Sequence, residues 1–229
     1  MKKYLPALAV ISAAVLWSLD GYIRQNLSTL PSFLIISLEH VIGAIIFFPL
    51  LLKGWNEIVI IRQRGWISIL WISICGGILG TFFYTKALSY VGYINLSVVV
   101  LLQKFQPIFA IALAAIILKE EITKRFLILA FFSIIGGYLI TFGNNPISTW
   151  DDKTIIAALL ALLAAFSWGS STVLGKHALN QISFSTLTSL RLSITAAITF
   201  FVIISTGQYE LVPDISFKSW RYILLIVVS

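Results

Sequence analysis

The sequence predicts an all-α integral membrane protein with seven full transmembrane helices and part of an eighth. Hydrophobic residues make up 59% of the chain and charged residues only 11%, whereas about 25% of the residues in a typical soluble domain are charged. The mean hydropathy is +0.98. The apolar residues form stretches of roughly 20, which fit α-helical spans rather than the alternating pattern of a β-barrel.

The predicted spans alternate with short polar or basic loops. We interpret the first as an uncleaved helix rather than a signal peptide, because many further apolar stretches follow it. The connection at 89–93 is so short that the third and fourth spans are expected to form a tight antiparallel pair. In chain order, the predicted spans are 4–23, 33–52, 66–87, 95–121, 126–142, 155–174 and 184–204, followed by an incomplete run at 220–229.

A polar break divides the chain into two predicted domains. Residues 144–153 are expected to be a periplasmic linker between a first repeat at 1–143 and the start of a second repeat at 154–229. The last apolar run, 220–229, is too short to cross a hydrocarbon core of about 30 Å at about 1.5 Å per residue. We therefore expect the sequence to stop inside an eighth span.

The two predicted domains resemble each other weakly. A shift of 151 residues places Trp17 on Trp168 and His40 on Arg191. A repeated unit of five spans contains an odd number of crossings, so its second copy is inverted relative to the first, as in many transporters. The interpretation implies inverted five-helix repeats.

The basic residues predict the orientation in the membrane. The formal net charge is +7, which in a membrane protein indicates basic cytoplasmic loops rather than nucleic-acid binding. With a cytoplasmic N-terminus, nine lysines and arginines fall on the cytoplasmic side and five on the opposite side. We therefore expect a multi-pass protein of the inner (plasma) membrane, surrounded by lipid, with its N-terminus in the cytoplasm.

The fourth span carries the main candidates for a substrate-binding site. A lysine at bilayer depth costs about 2.5–3.5 kcal/mol on insertion scales, so Lys104 is expected to face a cavity or a partner. Gln103 and Gln106 share one helix face, and Lys104 is rotated about 100° away, so the three converge only if Pro107 opens the helix. The alternatives are a neutralised lysine that only sets packing and two glutamines that join helices.

Ionisable residues in the first two spans are further candidates. Glu39 is a candidate partner of Lys104 or a proton carrier, and the neighbouring His40 can titrate near neutral pH. The alternative is that one of the two faces the bundle interior and the other extends to the interface. Asp20 and Arg24 are four residues apart and are expected to form an ion pair along one helix.

Two tryptophans and four glycines are interpreted mainly as packing residues, and some of them could also bind the solute or act as hinges. Trp17 and Trp168 lie deeper than the tryptophans at the span ends and are interpreted as packing residues, although Trp17 is kept in the candidate binding set. Four glycines are expected to permit close helix packing or to act as hinges for alternating access. They are Gly76, Gly80, Gly136 and Gly137.

The segment at 87–123, ALSYVGYINLSVVVLLQKFQPIFAIALAAIILKEEIT, resembles the EamA domain of the drug/metabolite transporter superfamily. The shared pattern is a short turn, a helix start of small and polar residues, a proline in mid-helix, an apolar run and a glutamate before the next span. Pro107 matches the proline, and Glu120 or Glu121 matches the glutamate.

The second half carries the same resemblance. Residues 159–179, LLALLAAFSWGSSTVLGKHAL, are similar to the opening of another EamA domain. Arg191 falls where this family often has an arginine; we interpret it as a structural anchor, with an anion contact as the alternative. His40 replaces that arginine in the first repeat, so no role is carried over to it. The resemblance implies ten spans in two inverted repeats.

The resemblance and the polar mid-membrane residues predict a secondary transporter. We expect alternating access and export of a small organic metabolite, such as an amino acid, with protons as the candidate coupling ion. The sequence contains no catalytic motif, no metal-ligand cluster and no P-loop, so we expect neither an enzyme nor a cofactor. The alternative is a non-transporting membrane fragment or a partner subunit.

Overall fold

The computed structural model describes residues 5–90, 92–143 and 151–228. All regular elements in these ranges are helices. In chain order they are α1 (Leu5–Gln25), α2 (Ser32–Lys53), α3 (Trp55–Val59), α4 (Gln63–Trp71), a π-helix (Ile72–Leu79), α5 (Gly80–Leu88), α6 (Leu96–Gln103), α7 (Gln106–Ile117), α8 (Lys124–Phe142), α9 (Asp152–Ala178), α10 (Phe184–Ser205), a 3₁₀ turn (Gln208–Leu211) and α11 (Phe217–Val228).

These helices form a multi-pass membrane protein. Five stretches within the described ranges are long and apolar enough to cross a bilayer: Ser32–Lys53, Gln63–Leu88, Leu96–Ile117, Asp152–Ala178 and Phe184–Ser205. Large apolar side chains are exposed on many of the helices, as expected of surfaces that face lipid. The predicted first and fifth spans correspond to α1 and α8, which have 21 and 19 residues.

Some expectations are not tested by these helices. Seven full spans and the inverted repeat stay predictions, as do the two domains at 1–143 and 154–229. Most of the predicted linker lies outside the described residues, because 144–150 are not described.

Helix ends follow local chemical signals. Thr123 Oγ1 accepts a hydrogen bond from the backbone N–H of Phe126 at the start of α8, and Ser183 Oγ accepts one from Thr186 at the start of α10. Such side-chain oxygens satisfy N–H groups that lack a partner within the helix. After α10, Gly207 has φ +71°, a left-handed conformation that glycine adopts without steric cost.

Helix α9 lies at the centre of the bundle. It contacts α4, the π-helix, α5, α6 and α7, while α2 packs along α10. Small side chains let the neighbouring helices approach closely. The fully buried alanines of α9 are Ala157, Ala161, Ala164 and Ala165.

The third and fourth predicted spans are irregular rather than continuous α-helices. The third passes through the π-helix Ile72–Leu79, a type of segment that often lies at functional sites. The fourth is interrupted at Lys104 and Phe105, between α6 and α7. Since Pro107 has no N–H, it cannot donate to the carbonyl of Gln103, so the expected opening occurs just before the proline.

The loop predicted between the second and third spans contains a short helix, α3, that connects to α10. The carboxylate of Glu57 accepts a hydrogen bond of 2.6 Å from the backbone N–H of Ser183. This bond lowers the pKa of Glu57 below its ordinary value. The contact ties the α2–α4 connection to the α9–α10 connection on the same side of the bundle.

Candidate functional site

A cavity of about 750 Å³ is lined by residues of α1, α2, the π-helix, α5, α7, α9, α10 and the end of α11. Its volume is within the range of about 300–1,000 Å³ that small-molecule sites occupy. Aromatic, charged and hydroxyl side chains all reach its surface. It is therefore the candidate solute site.

Two tryptophans form the aromatic part of the cavity wall. Trp17 on α1 and Trp168 on α9 lie with their ring centroids 6.3 Å apart at an interplanar angle of 72°, an edge-to-face arrangement. The indole N–H of Trp168 donates to the carbonyl of Gly76 at 2.9 Å, and the ring also contacts Tyr84. These contacts fix the orientation of Trp168.

Glycines of the third span make room for this wall. A Cβ on Gly80 would stand 2.6 Å from Nε1 of Trp168, and a Cβ on Gly76 would collide with Ser171 of α9. Gly137 approaches Phe105 in the same way, whereas nothing lies within 4 Å of a Cβ built on Gly136. Three of the four glycines therefore allow close packing, and their role as hinges stays a prediction.

A buried ion network lies at one end of the cavity. Arg24 Nε donates to both carboxylate oxygens of Asp20 at 3.0 and 2.9 Å, and Nη2 donates to Glu39 at 2.9 Å. Nη1 donates to Thr85 at 3.2 Å. The side chains of Arg24, Asp20 and Glu39 are only 5%, 6% and 18% exposed. The network joins α1, α2 and α5, and confirms the predicted pairing of Asp20 with Arg24.

The suggested pair between Glu39 and Lys104 is wrong. The carboxylate of Glu39 is held by Arg24 instead, because α2 places Glu39 beside the second half of α1. Lys104 lies with its ammonium 3.9 Å from the ring centroid of Trp17, within the usual range of a cation–π interaction. From the sequence, Glu39 and Lys104 were each expected to need a partner, but the sequence did not determine that Glu39 would form its ion pair with Arg24.

Polar side chains at the break between α6 and α7 extend from the core to the cavity. Gln103 is 2% exposed and donates to Gln106 Oε1 at 3.4 Å. Gln106 lines the cavity and donates to Thr172 of α9 at 3.3 Å. The opened helix thus brings Gln103 and Gln106 together and turns Lys104 toward Trp17.

Of the candidate binding and hinge residues, five line the cavity: Trp17, Glu39, His40, Gln106 and Gly76; the predicted pair Asp20 and Arg24 also lines it. The remaining candidates lie around it, within the described part of the chain, without contributing to its lining. They are Gln103, Lys104, Pro107, Gly80, Gly136 and Gly137.

Several lining residues were assigned other roles or none. Trp168 was interpreted as packing and Arg191 as a structural anchor, and Ser171 and Thr172 were not singled out; all four line the cavity. The predicted internal repeat, which stays a prediction, offered a signal for two of them. It pairs Trp17 with Trp168 and His40 with Arg191, and each pair meets in this cavity.

Removal of the Lys104 charge tests its link to the cavity. We expect Lys104→Ala to weaken solute binding about two- to fivefold, since a cation–π contact contributes about 0.5–1 kcal/mol. Lys104→Arg should keep most of the affinity. In a Trp17→Ala background the lysine substitution should have no further effect, because the interaction is already gone. Unchanged affinity and flux in Lys104→Ala would exclude a role for this lysine.

Comparison of the sequence with models of protein families identifies the family of the chain. The model of the EamA-like transporter family matches residues 5–142 and 155–229. The chain belongs to the EamA-like transporter family. It is thus a multi-pass membrane protein from a family of transporters, as the resemblance to the drug/metabolite transporter superfamily predicted.

Two relatives of this EamA-like chain are riboflavin transporters by name. The chain is 37% identical over 208 residues to "Riboflavin transporter ImpX" of Fusobacterium nucleatum subsp. nucleatum, covering 89% of this chain and 69% of that protein. It is 25% identical over 171 residues to "Riboflavin transporter" of Brucella anthropi, covering 75% of this chain and 54% of that protein. The chain therefore spans about half to two thirds of their lengths. No solved structure matches it significantly.

Proposed function

We propose that the protein carries riboflavin, or a closely related flavin, across the membrane and binds it in the cavity described above. The observation that carries this proposal is the pair of tryptophans, Trp17 and Trp168, on the wall of a cavity of about 750 Å³. A flavin has a planar aromatic ring, which stacks favourably on an indole face. The names of the two relatives, both riboflavin transporters, support the same solute.

The rest of the cavity also suits a flavin. The sugar-alcohol chain of riboflavin carries several hydroxyl groups, which require hydrogen-bond partners once they leave water. Ser171, Thr172 and Gln106 supply hydroxyl and amide groups on the cavity surface. Apolar and aromatic walls with a few polar groups are typical of small-molecule sites.

An amino acid is the second candidate, and one observation favours it. Arg191 lines the cavity, and no ion pair or hydrogen bond of its side chain occurs among the described residues. A guanidinium group in this situation could bind a carboxylate. Selectivity between the two solutes is therefore a question for experiment.

The proposed mechanism is alternating access by a secondary carrier, with export as the direction and protons as the candidate coupling ion. The irregular segments support it: the break at Lys104 and Phe105 and the π-helix Ile72–Leu79 both adjoin the cavity. Broken helices beside a mid-membrane site are common in secondary transporters. They are positions at which helices can rearrange with little loss of regular hydrogen bonding.

The test is flux in proteoliposomes that contain the purified protein. Radiolabelled riboflavin should cross the membrane faster than in empty liposomes, and unlabelled riboflavin should compete while single amino acids should not. Imposed pH gradients of either sign test proton coupling, and preloaded liposomes test export. Flux of a radiolabelled amino acid, in liposomes that show no flux of riboflavin, would favour the second candidate. Flux of neither solute would favour a non-transporting fragment or partner subunit.

We also propose the topology on which this mechanism depends: seven full spans, an N-terminus in the cytoplasm and two inverted repeats in the inner membrane. The pairing of Trp17 with Trp168 and of His40 with Arg191 in one cavity supports an axis that relates the repeats. After replacement of Cys75, single cysteines at Ser28 and Arg62 should react with an impermeant reagent from the outside and the inside, respectively. Labelling of both from one side would contradict it.

A further inference from the structure

Two polar side chains of the cavity take no part in the ion network. Arg191 extends from α10 and His40 from α2, and these two helices pack along each other. One Nη atom of Arg191 lies 3.9 Å from the position of a Cβ built on Gly76, so the missing side chain leaves space for the guanidinium. Its five N–H donors are not used by any described residue, which leaves them available to a solute.

His40 has the opposite hydrogen-bonding character. Its Nδ1 lies 2.9 Å from the backbone carbonyl of Ile36, and the residue as a whole is 4% exposed. A carbonyl oxygen only accepts, so Nδ1 carries the proton. In the neutral ring, Nε2 is then an acceptor. No described residue donates to Nε2, although the ring lines the cavity.

We propose that Arg191 and His40 together recognise the imide edge of the flavin ring. That edge presents a carbonyl, an N–H and a second carbonyl in a row. Arg191 donates to a carbonyl, and Nε2 of His40 accepts from the ring N–H, called N3. The inference rests on the proposed flavin substrate and assigns its orientation: the imide edge points at α2 and α10, and the ring lies against Trp17 and Trp168.

The same pair disfavours a carboxylate. A carboxylate would satisfy Arg191, but it has no proton to donate and would leave the His40 acceptor facing its lone pairs. An unsatisfied buried acceptor is costly, so a site that offers both a donor and an acceptor selects a ligand that has both. His40 and Arg191 would therefore act as specificity-determining residues that separate the imide edge of a flavin from a ligand that presents only a carboxylate to this pair.

The test compares equilibrium binding of riboflavin with that of 3-methylriboflavin, in which a methyl group replaces the N3 proton. We expect the protein to prefer riboflavin by at least about tenfold, because the methyl group removes one hydrogen bond and collides with the acceptor. This comparison needs no substitution, so it is independent of folding. Equal affinity for the two flavins would overturn the inference.

Variants then identify the residue responsible. His40→Phe keeps a ring but loses the acceptor, so the preference should fall close to one. Arg191→Lys should weaken both flavins and keep the preference. Ser37→Ala is the control on α2, because the buried Ser37 hydroxyl has no partner among the described residues; it should leave the preference unchanged. If His40→Phe weakens both flavins equally, the histidine is structural and the inference fails.

The outcomes separate the inference from the proposed function. Riboflavin that binds and crosses the membrane without discrimination at N3 would leave the proposed function intact and refute only the imide contact. Riboflavin that neither binds nor crosses would refute both.

Discussion

Arg24→Met is expected to destabilise the protein by about 3–5 kcal/mol, since removal of one partner of a buried ion pair leaves uncompensated charge in a low-dielectric interior. The guanidinium of Arg24 is shared by Asp20 and Glu39 and also bonds Thr85. The side chain is only 5% exposed, so water cannot replace these bonds. The substitution should therefore lower the midpoint of thermal unfolding in detergent and reduce the yield of folded protein.

Two controls isolate the electrostatic cause. Arg64→Met removes an exposed arginine and should change the free energy of unfolding by no more than about 0.5 kcal/mol. Neutralisation of the two carboxylates, Asp20→Asn with Glu39→Gln, should restore much of the stability lost in Arg24→Met. An Arg24→Met protein as stable as Arg64→Met would show that the network does not hold α1, α2 and α5 together.

Gly80→Ala is expected to reduce solute affinity tenfold or more. The added Cβ would stand 2.6 Å from Nε1 and 2.7 Å from Cδ1 of Trp168, and 3.0 Å from the carbonyl oxygen of Cys75. Overpacking of this kind costs about 1–3 kcal/mol, and the indole ring is the group that must move. Since Trp168 forms the cavity wall, its displacement should be measured as weaker binding of riboflavin.

Gly136→Ala is the matched control, because nothing lies within 4 Å of a Cβ built there. It should keep the affinity of the unmodified protein, and it should be as stable or more stable, by up to about 1 kcal/mol, because alanine favours helix. Equal behaviour of Gly80→Ala and Gly136→Ala in binding and stability would contradict the assignment of Trp168 to the site.

The helices were largely predictable because a bilayer demands long apolar stretches. The predicted spans 33–52 and 184–204 correspond to Ser32–Lys53 and Phe184–Ser205 almost residue for residue. The π-helix at Ile72–Leu79 could not be predicted, because its apolar and glycine residues also fit an α-helix. The break in the fourth span was expected from Pro107, yet its position depends on neighbouring helices that accept the exposed backbone groups.

The site was less predictable because it joins helices that are distant in sequence. Lys104 and Glu39 were identified as charges that need partners. Glu39 pairs with Arg24 instead of Lys104, because Arg24 on α1 lies beside it. Trp168 and Arg191 looked structural when each was considered within its own helix. The predicted repeat pairs them with Trp17 and His40, but no convergence in one cavity was predicted from that pairing, and local periodicity carries no information of that kind.

The location of bound riboflavin in a structure of the protein–riboflavin complex tests the proposed solute site most directly. We expect the flavin ring in the cavity of about 750 Å³, against Trp17 and Trp168, with its imide edge toward His40 and Arg191. Riboflavin bound elsewhere, with this cavity unoccupied at saturating concentration, would contradict it.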